Sequence, residues 1–210
     1  MIKRIKIVIG ILLICLIAYN SVYFEALDEK KLSEIKEDFS PKTFAQELMQ
    51  TQINNVPALE ASAYFAQLDS NFNSFTKEHG KTLGVSNYRY FMLEGKGKVL
   101  AIEDENVRLD IEGLDSQSIL LATDFIFGNT LRDASGLVSI SDYANTMDFN
   151  NISVEMNHIV KNEIIPPFMK QVSEGQSVNF KGALRLNLEE KQTDELRVIP
   201  ISLAITSNNP

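Results

Sequence analysis

The sequence predicts an α+β fold, a small antiparallel β-barrel with flanking helices, preceded by an N-terminal transmembrane helix. Three observations carry this expectation. An apolar run at 7–24 sits behind a basic flank, the hydrophobic period changes from helical to alternating near residue 88, and one helical stretch interrupts the strands before a terminal pair. The expected organisation is a membrane anchor at 1–26, an amphipathic stalk at 27–39 and an α+β domain at 40–210 on the far side of the membrane.

The anchor comes first. Residues 7–24 contain only Asn20 and Ser21 as clearly polar interruptions, follow Lys3, Arg4 and Lys6, and are succeeded at once by acids. Eighteen such positions lie near the minimum for a helical span, and Tyr19, Tyr23 and Phe24 stand where interfacial aromatics belong. A basic flank stays cytoplasmic, so a bacterial cytoplasmic membrane with the C-terminal domain in the periplasm or extracytoplasmic space is expected. No small-x-small pair follows Leu16 to permit cleavage of a secretory peptide. Cys15, the single cysteine, follows Ile14 where a lipidated cysteine needs a small neighbour, so it reads as apolar filler in an uncleaved, single-pass anchor.

Leu27, Leu32, Ile35 and Phe39 recur at helical spacing among charges and form the stalk. Ser40 then places a capping hydroxyl before Pro41 at the first helical position, and Phe44, Ala45 and Leu48 supply one apolar face. A second helix is expected after Pro57, with Leu59, Ala63 and Phe65 to Leu68 inward, and a third, short one from Phe72 to Phe75 that ends by Gly80. From Tyr88 the period becomes two, and the segments 88–93, 98–102, 108–111 and 119–127 read as strands. Glu94-Gly95-Lys96-Gly97 reads as the hairpin turn between the first two, because Gly95 and Gly97 can supply positive φ. A further strand is expected at 137–140, and a helix at 152–164 capped by Asn150 or Asn151. Pro166-Pro167 ends or kinks that helix, and two last strands follow at 177–188 and 195–206. A sheet fed in this order curls into an OB-like barrel.

Composition excludes several functions. Twenty lysines and arginines stand against 28 acids, a net charge of −8, which argues against any grip on a phosphate backbone and so against a nucleic-acid partner. One cysteine rules out a disulfide framework or a thiolate zinc cage, and two histidines leave little for other metal chemistry, so neither cofactor nor metal is expected. Beyond Lys3, Arg4 and Lys6, 17 basic residues face the 28 acids, and a body so charged repels anionic lipid and phosphate-bearing ligands.

Catalytic motifs are lacking. Gly80-Lys81-Thr82 imitates the end of a phosphate-binding loop, yet Phe75 stands where the first glycine belongs, and Gly95-x-Gly97 lacks its third glycine. His79 and His158 read as surface or helix-capping residues. The densest polar feature is the loop from Gly128 to Gly136, joining one apolar run to the next. Here Asn129, Arg132 and Asp133 could offer a planar donor fork and an acceptor to a hydroxylated or carboxylated ligand, with Asp142 and Asn145 downstream as further candidate contacts. The alternative is that Arg132 and Asp133 pair with neighbouring groups and lock a partly buried loop. Gly128 and Gly136, like Gly95 and Gly97, read as structural turns.

At this loop the chain resembles a known family. Gly128-x-x-Leu131-Arg132-Asp133-Ala134-x-Gly136, Asp142-Tyr143, Asn151-Ile-Ser-x-Glu155-x-Asn157, Val178-x-Phe180-x-Gly182-Ala183 and Ile199-Pro200-Ile201 appear in order. Upstream stand Phe39-Ser-Pro-x-x-Phe44-Ala45 and Phe91-x-x-x-Gly95-x-Gly97-Lys98-Val99. Together they resemble the predicted periplasmic lipoprotein family, domain of unknown function 2291, over about residues 39 to 206. The resemblance implies an envelope-facing domain of small barrel and helix whose relatives are often encoded beside sugar ABC transporters, and it places the family's recurrent Gly, Arg, Asp and Gly on Gly128, Arg132, Asp133 and Gly136. The chain departs from the lipoprotein label at Cys15, which has no lipobox.

The expected function is a non-enzymatic, membrane-anchored periplasmic accessory or ligand-binding protein linked to sugar ABC transport, with the inner membrane, transporter components or a small carbohydrate as partners. A structural or assembly role on an envelope complex, through an exposed apolar patch and without a small ligand, is the alternative. A hydrolase would need Asp133 to converge with Asp142 or Glu155 in one cleft.

Overall fold

The computed structural model describes residues 39–114, 117–143, 145–190 and 196–206, with the isolated positions 10, 12, 14 and 19. Apart from those positions and Phe39, the expected anchor at 7–24 and stalk at 27–39 lie outside the described residues, and among the described residues no helix is long and apolar enough to cross a membrane. The chain divides into two units, Met1–Phe39 and Ser40–Pro210, and the second carries the fold.

Ser40 opens the domain. Its hydroxyl accepts from the Thr43 amide at 3.2 Å while Pro41 starts α1 (Pro41–Glu47), so one orphan donor is satisfied and the missing proline N–H costs nothing. The helix runs on through a π-helical turn (Leu48–Gln52) and a 3-10 turn (Ile53–Asn55) that bury Leu48, Met49 and Ile53. β1 (Leu59–Glu60) follows, and the Glu60 carboxylate accepts from the Ala63 amide at 3.1 Å to cap α2 (Ala61–His79). The two helices expected here are one helix bent at Asn71, where φ is −140° and ψ 40°. Because the cap falls on Glu60, Leu59 belongs to a strand and Ala63 faces solvent; Ala61, Tyr64, Phe65 and Leu68 turn inward instead.

β2 (Tyr88–Ile102) runs unbroken through Gly95 and Gly97, so the hairpin expected at 94–97 is absent and neither glycine is a turn residue. Close approach explains them. A Cβ on Gly97 would lie 2.7 Å from the Asp110 carbonyl oxygen, and one on Gly95 would lie 3.1 Å from Ala61 Cβ. At this point β2 exchanges partners, pairing antiparallel with one strand along 88–98 and with another along 97–102. β3 (Asn106–Ile111) and β4 (Ser118–Ala122) follow, the latter ending well before Phe127.

The excursion from the barrel comes next: α3 (Thr130–Ser135), a 3-10 turn (Ile140–Asp142) and α4 (Thr146–Ile159), which continues through a π turn (Val160–Ile164) into α5 (Ile165–Met169). The strand expected at 137–140 does not form; Ile140 instead opens the 3-10 turn. α4 begins six residues before the expected helix, with the Asn145 side chain accepting from the Asp148 amide at 2.9 Å; Asn150 and Asn151 lie inside it rather than at its cap. Pro166-Pro167 does not end the helical run but sits in the first turn of α5, where the preceding π turn has already broken the regular ladder.

β5 (Ser177–Asn187) and β6 (Leu196–Thr206) form the terminal pair. The barrel closes in the order β2-β3-β4-β6-β5 and back to β2, antiparallel except where β4 and β6 run parallel with Ile119 opposite Leu196. β1 adds a short parallel flap to β2 at Leu93 and Glu94.

Two cores share the barrel wall. Inside, Phe91, Leu93, Leu184 and Val198 pack with Leu109 and Ile119, and α2 contributes Tyr64, Phe65, Leu68 and Phe75, whose ring stacks 6.0 Å from Phe91. Outside, Tyr90, Met92, Ala183 and Ile199 point the other way, against α1, α3 and α4. This double burial explains why Tyr90 to Leu93 reads as continuously apolar rather than alternating. Each large side chain so enclosed contributes about 1.5–3 kcal/mol.

Candidate functional site

The polar loop of the sequence is a short helix between two left-handed glycines. Gly128 has φ +84° and Gly136, the C-cap of α3, has φ +65°. Lys81, just beyond α2, closes the far end: its Nζ donates to the Ala134 and Ser135 carbonyls at 2.7 Å each, satisfying acceptors that the last turn leaves open. Burial holds the Lys81 ammonium below the ordinary lysine range.

Arg132 does not face solvent. With 2% of its surface exposed, it is the largest fully buried side chain among the described residues. Its Nε donates to Asp133 Oδ1 at 2.8 Å and its Nη1 to the Phe149 carbonyl at 3.1 Å and Asn150 Oδ1 at 3.4 Å. Its guanidinium carbon lies over the Phe149 ring, 3.6 Å from the centroid. The Asn129 amide donates to Asp133 Oδ2 and, at 3.1 Å, to the Tyr90 hydroxyl on the outer face of β2. Burial is the main cause raising the Tyr90 phenol above its usual range. The result is an unbroken polar chain from the barrel wall through α3 to α4. It staples three elements together and presents no open donor fork.

The remaining candidates lie apart from it. Asp142 stands exposed in the 3-10 turn and accepts from Ser141, while Asn145 caps α4 and donates to Asp148 at 2.9 Å. Asp133 is engaged by Arg132 and Asn129, and Asp142 by Ser141 in its own turn. Tyr143 packs between Phe44 and Phe149, at 6.4 and 6.0 Å. Sequence reasoning missed Lys81, Tyr90 and Phe149 as members of this assembly, and nothing local marks them. Among the described residues no group of three His, Cys, Asp or Glu side chains is placed to hold a metal ion.

Two depressions flank Lys81. One, of about 360 Å³, is lined by Thr51, Gln52, Asn55, Ser135 and Leu137 as well as the lysine, and so borders the π-helical turn. A smaller one, of about 190 Å³, is bounded by Ala58, His79, Tyr90 and Met92.

A closed five-stranded barrel with a helical excursion between β4 and β5 is a protein of the OB-fold class. Its sequence makes the assignment narrower: the chain matches the predicted periplasmic lipoprotein family DUF2291 over residues 12–204 and belongs to it. A crystal structure of an OB-fold protein from Thermotoga maritima is similar at 30% identity, with a TM-score of 0.73 over 81% of this chain and 100% of that one. No curated protein matches.

Proposed function

We propose that this protein is a membrane-anchored extracytoplasmic accessory module that acts by docking within an envelope assembly, without catalysis and without a small molecule held by Arg132. The observation that carries this reading is the enclosed guanidinium, spent on Asp133, the Phe149 carbonyl and the Phe149 ring. Fold alone is silent here, since OB barrels serve many functions and the net charge of −8 argues against their use on nucleic acid.

Attachment runs through 7–24. The sequence favours an uncleaved single span, because Ile14 precedes Cys15, whereas the family description favours a lipid. Intact mass and membrane fractionation of wild type and Cys15→Ser distinguish them: a span leaves both unchanged, while a lipid adds acyl mass that the substitution removes.

A second reading has one observation in its favour. The depression beside Lys81 is of a size to hold a small ligand, and Gln52, Asn55 and Lys81 bring amides and a cation to its rim, chemistry suited to a small carbohydrate delivered by a sugar ABC transporter. Titration calorimetry against D-ribose, D-galactose and D-glucose tests both. The docking reading expects no saturable heat; saturable binding that is lost in Asn55→Ala would replace it with the ligand reading.

A further inference from the structure

The exposed residues of α4 and the π turn behind it are Thr146, Met147, Asn150, Asn151, Val154, His158, Lys161, Asn162 and Glu163. On a chain of net charge −8 only the last of them is an acid. Asp148 and Glu155 flank this face half-buried, and Asp148 is held by Asn145. Met147 and Val154, two turns apart on one side of the helix, are 70% and 60% exposed.

The loop 123–128 is fastened to the same layer. Asn157 Nδ2 donates to the Gly128 carbonyl at 2.8 Å, and Lys161 Nζ to Asp124 Oδ1 at 2.9 Å. Within that loop Ile126 is buried, whereas Phe125 and Phe127 on either side are 56% and 70% exposed. Phe125 also has φ +48°, a left-handed backbone that costs a bulky residue energy, and the Asp124 carboxylate steadies it by accepting the Phe125 amide at 2.8 Å. Two phenyl rings are thus held in water by a strained, pinned loop.

We propose that this face, with Phe125, Phe127, Val154 and Met147 at its centre and Lys161 and His158 beside them, rests on the surface of the bilayer that anchors the chain. The inference rests on the membrane-anchored reading. Where the chain enters the domain argues for a bilayer over other occupants. It enters at Ser40, at the head of α1, and α1 packs along α4, with Phe44 reaching through Tyr143 to Phe149, two residues from Met147. Only residues 25–39 separate the apolar segment from that point, at most about 55 Å of extended chain, so the bilayer surface is always at high effective concentration beside this layer. Aromatic and aliphatic side chains at the interface are a favourable arrangement there. The rest of the acidic surface is repelled from anionic headgroups, which orients the domain with this face down.

The chain has no tryptophan, so a single reporter can be introduced cleanly. The full chain would be reconstituted in phosphatidylethanolamine–phosphatidylglycerol liposomes with or without dibrominated phosphatidylcholine, carrying Phe127→Trp, Val154→Trp or, as a control on the barrel wall, Leu100→Trp. Bromine is expected to quench Phe127→Trp and Val154→Trp at least twofold, with blue-shifted emission, and to leave Leu100→Trp unchanged. Equal quenching of all three, or water-like emission at both test positions, overturns the proposal. So does a blue shift that follows protein concentration without quenching, which assigns the face to a second copy. Flotation of the liposomes separates the two levels: protein that fails to float overturns the anchored reading and this inference together, whereas protein that floats unquenched overturns this inference alone.

Discussion

The Arg132 guanidinium carbon sits over the Phe149 ring, 3.6 Å from its centroid, while its Nε holds the Asp133 carboxylate at 2.8 Å. Arg132 belongs to α3 and Phe149 to α4, so a single buried cation fixes the separation of two helices on the barrel wall. Both members of the ion pair are enclosed, at 2% and 6% side-chain exposure. Removing one partner leaves a stranded charge. Arg132→Ala should therefore cost about 3–5 kcal/mol, and Arg132→Met with Asp133→Leu clearly less than the single substitution. Urea denaturation followed by far-UV circular dichroism measures both; a single variant within about 1 kcal/mol of wild type contradicts the assignment.

Gly182 and Gly97 make a second test. A Cβ on Gly182 would lie 2.5 Å from the Ile199 carbonyl oxygen and one on Gly97 2.7 Å from that of Asp110, both backbone atoms that cannot turn aside. Gly182→Ala and Gly97→Ala should each destabilise by about 1–3 kcal/mol through overpacking at the barrel seams. Gly95→Ala, whose first neighbour is the Ala61 side chain at 3.1 Å, should cost less than either. Thermal melts of the three variants should rank in that order.

Tyr64 is fully buried among Phe65, Phe75 and Phe91, and its hydroxyl has no hydrogen-bond partner among the described residues. Burial pushes the phenol far above its usual range. Tyr64→Phe keeps the ring contacts and deletes the orphan group, so stability should stay level or rise by about 1 kcal/mol. A loss of more than about 1 kcal/mol in urea would mean that the hydroxyl has a role these contacts do not reveal.

Asp124 gives a pH-dependent readout. The Lys161 hydrogen bond, then the Phe125 amide, hold its carboxyl below the ordinary carboxylate range. A depressed acid stabilises the fold above its unfolded pKa, and that contribution disappears as pH falls through the folded value. Its loss should therefore begin below about pH 4 and release the Phe125 turn. In Lys161→Met the Asp124 midpoint, followed by carboxyl carbon NMR, should move upward toward the ordinary value while the Phe125 amide still holds part of the shift. An unchanged midpoint would show that Lys161 does not engage it in solution.

Local signals were legible and correctly placed wherever a few neighbouring residues settle the geometry. Ser40-Pro41 starts a helix because cap and first turn lie within four positions, and the terminal strands from 177 and 196 were readable because their apolar residues alternate up to plain turn residues. Gly95 and Gly97 were misread, since a glycine in a turn and one that lets strands approach look alike in sequence; only the Asp110 backbone across the seam distinguishes them. The expected helix at 152–164 begins six residues too late because Asn145, Asn150 and Asn151 are equally good caps in sequence, and packing against α1 chose among them.

By itself the sequence determined that this chain carries a barrel of alternating strands with helices around it, an acidic body and an apolar leading segment, because periodicity and charge are properties of neighbouring residues. What became of Arg132 was decided only by the tertiary structure. A guanidinium beside a carboxylate serves equally as a ligand fork or an internal staple, and the choice depended on Phe149, 17 positions away, closing over it, and on Tyr90 of β2, 39 positions before Asn129, extending the network through it.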